Sequence, residues 1–140
     1  MMTPIKKTMA QQVAKAASDF QLQRTGHAPK SVTVVLSDST LVITMHGALT
    51  PAEQALATNP AGAAQVQEFH RQLFVTSSED LRQAIKRITG VDVREAASDV
   101  ETTTGTVVHA FTNGTMVQVF LLAEELSPEA WNASDPVGSL

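Results

Sequence analysis

The apolar residues near the N-terminus are spaced as in a helix. Ile5, Met9, Val13, Ala16, Ala17 and Phe20 recur three and four positions apart between Thr3 and Arg24, and Ala, Gln and Lys fill the remaining positions. Thr3 followed by Pro4 offers an N-cap and a first helical residue, and Gly26 and Pro29 end the segment. The period then changes to two. SVTVVLS and TLVITMHG are dense in β-branched residues and meet at Asp38-Ser39, which predicts a hairpin. Alternation sets Val32, Val34 and Leu36 on one face and Thr33 and Val35 on the other. In the second strand Leu41, Ile43 and Met45 oppose Val42 and Thr44. The second face is semi-apolar, not simply solvated.

ALTPAEQALA opens a second helix. Thr50 can cap it, Pro51 takes the first helical position, and Glu53 completes a capping box three residues after Thr50. Asn59, Pro60 and Gly62 interrupt it, and a longer helical pattern runs from Ala63 to Thr89. Its stripe is Val66, Phe69, Leu73, Leu81, Ile85 and Ile88, with Ser77 between, and Gly90 is the stop. One long helix is expected; a kink near Ser77, or a fresh cap at Thr76 or Ser77, stays open. Val91 and Val93 start a strand toward Val100, and Thr102 to Gly105 reads as a turn. TVVHAFT and TMVQVFLL then flank Asn113-Gly114, a strong hairpin signal.

Strands that come in hairpins imply an α+β domain. The expected architecture has two layers: an antiparallel sheet of β-hairpins, with the N-terminal helix and the long central helix on one face. Residues 1–123 form this single domain, and residues 124–140 an acidic, loosely held tail that Trp131 could pin to the body or to a partner, the body being favoured. On the last strand Met116, Phe120 and Leu122 point one way and Val117, Val119 and Leu121 the other. A strand apolar on both sides needs cover on both, and the helices roof one. A homodimer is therefore expected.

Composition narrows the function. The chain has 140 residues, 43% of them apolar, a net charge of −4 and no cysteine. These values argue against disorder, against a general nucleic-acid binder, and against thiolate zinc or a cysteine nucleophile. A reducing intracellular setting is the simpler expectation. No secretory signal is evident, and no apolar run approaches the ~20 residues of a transmembrane segment. Charge is uneven. Lys6, Lys7, Lys15, Arg24 and Lys30 face only Asp19 before Ser31, whereas only acids follow Arg94. That asymmetry suits a membrane surface or a partner, and equally a basic helix lying near its own acidic tail.

Candidate chemistry is sparse. His27, His46, His70 and His109 show no HxH or HExxH spacing, and the GxSxG, GxGxxG and P-loop patterns are missing. No metal, cofactor or enzymatic activity is expected. His46 and His109 fall in strands, where a structural role suffices, and His70 beside Phe69 edges the helix interface. Glu79 and Asp80 read as helix N-terminal charges, and Arg82 and Lys86 as a solvated, ion-paired face. His27 in the GHAP loop, Arg71 on the long helix and Asp99 near a turn remain as a ligand-binding set for a small anion or metabolite at a dimer interface. Asp99 also suits fixing backbone by accepting N–H bonds.

Several segments, in order, resemble the MpsC family of small bacterial proteins. They are GHAP (with Ala28 where the family usually shows a second glycine), HGALTPAEQALA, Arg71, ITGVDV, Asp99-Val100, Thr104-Gly105 and VVHAF. The likeness runs from the first helix to Phe111; the segment from Thr112 goes beyond the usual pattern. It implies association with a sodium-translocating, membrane-potential-generating system whose membrane partners are similar to subunits that take up dissolved inorganic carbon. It carries over no catalytic residues. A non-enzymatic cytoplasmic accessory protein at the inner face of the membrane is the resulting expectation, with a homodimeric small-anion or metabolite binding module as the alternative.

Overall fold

The computed structural model describes residues 6–94, 107–110 and 114–136. The elements in chain order are β1 (Lys6–Thr8), α1 (Met9–Thr25), β2 (Ser31–Ser37), β3 (Thr40–His46), α2 (Pro51–Leu56), α3 (Pro60–Thr89), β4 (Val107–Ala110), β5 (Met116–Leu121), α4 (Pro128–Asn132) and β6 (Ser134–Pro136). Strands β2 to β5 make a four-stranded antiparallel sheet in the order β2-β3-β5-β4, and β1 pairs with β6. The α+β class and the antiparallel hairpin sheet are as the alternation predicts.

The first helix starts later than its apolar spacing suggests. Thr8, not Thr3, is the N-cap: its hydroxyl accepts from the Gln11 N–H at 3.1 Å, and Gln11 Oε1 accepts from the Thr8 N–H at 2.9 Å. A reciprocal box satisfies two otherwise orphaned donors, and pairing of Lys6–Thr8 with Ser134–Pro136 commits the preceding residues to extended backbone. Thr3 and Pro4 lie outside the described residues. Gly26, at φ 74°, closes the helix by donating to Leu22 O.

The two-residue β2–β3 turn is at Asp38-Ser39, with Asp38 at φ 55°, a left-handed conformation that Asp tolerates. β4 and β5 pair antiparallel up to Ala110 opposite Met116, as the hairpin predicted around Asn113-Gly114 requires; residues 111–113 lie outside the described residues. Of the strand expected from Val91 toward Val100, the described part, residues 91–94, makes a bridge between Val93 and Leu122, and residues 95–100 lie outside the described residues. Val100, Asp99 and the Thr102–Gly105 turn lie outside the described residues.

The long helix is continuous from Pro60 to Thr89. Asn59 caps it through the Gly62 N–H at 2.8 Å, with Pro60 at the first position, so the apparent interruption is its N-terminus. Gly62 has a second reason to be glycine, because a Cβ there would come within 1.7 Å of Leu56 O. Absence of a side chain lets α2 pack directly on α3. The buried stripe is Val66, His70, Phe74, Ser78, Leu81 and Ile85, one residue out of phase with the expected one in the first half of the helix. Phe69 is consequently 52% exposed, and Phe74 packs on Phe120 at 5.7 Å between ring centroids.

The core lies between the helices and one sheet face. Val13 and Ala17 of α1, Leu41, Ile43 and Met45 of β3, and Met116 and Phe120 of β5 meet the α3 stripe there. Within residues 124–140, Ser127 caps α4, Trp131 is buried in the core, and β6 sets the backbone of Asp135 opposite Lys7. The basic N-terminal segment thus lies beside the acidic C-terminal one. Two of its cations are also paired within the chain, Lys15 with Asp19 at 2.8 Å and Arg24 with Asp80 at 3.4 Å.

The opposite face of the sheet has three rows across β2, β3 and β5: Thr33-Thr44-Val117, Val35-Val42-Val119 and Ser37-Thr40-Leu121. None of the nine is charged. Val35 is 53% exposed.

Candidate functional site

Polar side chains interrupt the core where α1, α3 and β5 converge. Gln21 follows Val13 and Ala17 on the buried face of α1, four residues further each time. Gln118 sits between Met116 and Phe120 on the inward face of β5. His70 and Ser78 flank Phe74 on the buried stripe of α3. All four are at least nine-tenths buried. Together with Arg24 they line a cavity of about 20 Å3.

His70 is held by α2. Its Nε2 lies 2.5 Å from Glu53 Oε2, while Glu53 Oε1 accepts from the Thr50 N–H at 2.9 Å and the Thr50 hydroxyl accepts from the Glu53 N–H at 3.2 Å. An ionised carboxylate only accepts, so the imidazole proton facing it is on Nε2. Burial alone would push the Glu53 carboxyl upward. The Thr50 backbone bond and the adjacent His70 outweigh it and hold the carboxyl below its ordinary value. One side chain therefore completes the cap of α2 and ties that short helix to α3.

Outside this pair is an open cleft of about 330 Å3, walled by Arg24, Thr50, Glu53, Leu56, Val66 and Phe69. Leu56 and Phe69 leave apolar surface at its rim. Arg24 borders both the cleft and the inner cavity, with its guanidinium over the Phe20 ring at 4.9 Å and 3.4 Å from Asp80. The cleft has the size and mixed lining of a small-molecule site.

The residues singled out in the sequence are placed elsewhere. His27 is half-buried in the loop after α1, its Nε2 3.0 Å from Gly47 O. This contact, with the Lys30 N–H donating to His46 O, joins the GHAP segment to HGALTPAE. Gly47, at φ 63°, passes Gly114 so closely that a Cβ on Gly114 would touch the Gly47 Cα at 3.7 Å, and the Ala48 N–H donates to Gly114 O. Arg71 is partly exposed on α3, 3.7 Å from Glu68 one turn back. Neither His27 nor Arg71 lines the cavity or the cleft. Asp99 lies outside the described residues. Among the described residues, no group of three or more His, Asp or Glu side chains is arranged to hold a metal ion.

Sequence reasoning did not find Gln21, Gln118 or the Glu53–His70 pair. The signal was available as polar residues on otherwise apolar repeats, at 13-17-21, 66-70-74-78 and 116-118-120.

A family model described as the Na+-translocating membrane potential-generating system (MpsC) matches residues 5–114. The uncharacterized protein YbcI of Bacillus subtilis (strain 168) is similar, 24% identical over 106 residues that cover 76% of this chain and 86% of that protein. No solved structure matches. The family match ends at Gly114, before β5 and the buried Trp131. By the extent of that match, the chain belongs to the MpsC family.

Proposed function

We propose that this chain is a soluble, non-enzymatic accessory or regulatory protein of a membrane ion or inorganic-carbon transport system, acting through protein–protein contacts from the cytoplasmic side. The observation that carries the reading is membership of a family described by its Na+-translocating, membrane potential-generating system. Two features support it. No helix among the described residues is long and apolar enough to cross a membrane. The uncharged, partly apolar outer sheet face offers a surface for another protein, and a second copy of this chain is the occupant we assign to it. The internal pairing of Lys15 and Arg24 shifts weight from a lipid surface to a protein partner.

Co-purification tests this reading. Expressed with the membrane subunits of its system, the tagged chain is expected in the membrane fraction at low salt and to bring those subunits with it. Full recovery from the soluble fraction, free of those subunits, overturns the reading. The alternative, a homodimeric small-anion or metabolite module, draws support from the 330 Å3 cleft beside Arg24. Saturable thermal stabilisation by bicarbonate or a nucleotide would favour it.

A further inference from the structure

Among the described residues, two buried side-chain atoms in the core meet no hydrogen-bond partner. They are Gln21 Nε2 on α1 and Gln118 Oε1 on β5, and both residues line the same cavity of about 20 Å3. One is a donor and the other an acceptor. A buried amide group left unpaired is expensive, so two of opposite character around one cavity are a recognition feature rather than a packing accident. We propose that this cavity is an internal binding site for one small neutral molecule, water in its simplest form, that accepts from Gln21 Nε2 and donates to Gln118 Oε1.

Size and charge pattern select the occupant. A cavity of about 20 Å3 exceeds the ~10–15 Å3 that one water requires and leaves no room for a polyatomic anion. Gln118 Oε1 asks for a donor and Gln21 Nε2 for an acceptor, and the Arg24 guanidinium on the same wall is already paired with Asp80 at 3.4 Å. A molecule that both donates and accepts suits both. Exchanging the oxygen and nitrogen of both amides reverses the direction of the two bonds and leaves the same requirement. The bound molecule would join α1 to β5 beneath α3, where Arg24, His70 and Ser78 form the rest of the polar lining. The site is independent of the docking reading above and stands or falls apart from it.

Two measurements on the full chain decide it. In wild-type protein, water-selective NMR is expected to show cross-relaxation between long-lived water and the side-chain amides of Gln21 and Gln118. Absence of that signal at both amides overturns the proposal. Denaturant unfolding of Gln21→Leu, Gln118→Leu and the double variant gives an independent sign. With a bridging water, each single change strands a partner. It is expected to raise the unfolding constant roughly ten-fold, and the double variant far less than the hundred-fold product. If the amides are simply orphaned, each Leu removes an unpaired group, so single variants that stabilise the protein, or additive effects, overturn the proposal. Should a variant fail to fold, the wild-type NMR result still decides.

Discussion

Phe120 and Gln118 are two residues apart on the same inward face of β5, yet they belong to interiors of different kind. Around Phe120 the core is apolar, with Leu41 opposite it on β3 and the Phe74 ring packed on its own. Around Gln118 four buried polar side chains surround a cavity. The first region gains free energy from every methylene removed from water, whereas the second must recover the desolvation of amides and an imidazole through specific bonds. In the second, the Glu53–His70 pair ties α2 to α3.

Substitutions rank the two regions. Phe120→Ala should show the largest effect, a loss of ~3–5 kcal/mol in urea unfolding, because the side chain is fully buried and its cavity has no route to collapse. Gly62→Ala follows, at the seam between α2 and α3. Helix propensity alone predicts a gain of up to ~1 kcal/mol, but a Cβ 1.7 Å from Leu56 O forces α2 away from α3. A net loss of ~1–3 kcal/mol is expected on the scale of overpacking. Equal or greater stability would mean that α2 is not seated as described.

Thr50→Ala comes next, removing the α2 cap for ~1 kcal/mol. The same seam gives a pH dependence with a definite sign. Glu53 titrates below its ordinary value of 4.5 in the folded chain, so its contribution is complete above that pH. It fades as pH falls through the lowered folded-state value. Glu53→Gln should therefore be less stable than wild type near neutrality and lose less stability on acidification, read from melting temperatures across the acid range. Lys15→Ala sets the lower bound: it breaks an exposed pair one helical turn apart, and a change under ~0.5 kcal/mol is expected in the same denaturation assay.

The legible parts of the fold were those written in neighbouring residues. The Thr50-Glu53 box, the Asp38-Ser39 turn, Gly90 as the α3 stop and the in-out alternation of β3 depend on spacings of a few residues. The N-terminus of α1 was misplaced because two threonines compete for it. Pairing of Lys6–Thr8 with Ser134–Pro136, at the other end of the chain, favours Thr8. The α3 stripe was out of phase for a related reason. Phe69 fits the apolar pattern better than His70, but a carboxylate 17 positions earlier makes His70 the residue to bury. The polar cavity was illegible on the same grounds: Gln21 and Gln118 weaken the apolar repeat of their own elements, and only the packed fold shows them to share a space. Of the predicted ligand set, His27 and Arg71 are held by Gly47 and Glu68 on separate elements.

Pairing of two copies through the outer sheet face is tested most directly by solution mass. Light scattering on the eluting wild-type chain should give twice its 14.9 kDa mass at micromolar concentration, and Val35→Asp, a charge placed in the middle of the uncharged rows, should give the single mass with the fold retained. A wild-type chain that stays single as concentration rises, or a Val35→Asp variant that stays paired, would contradict the claim that this face is where the protein meets its partner.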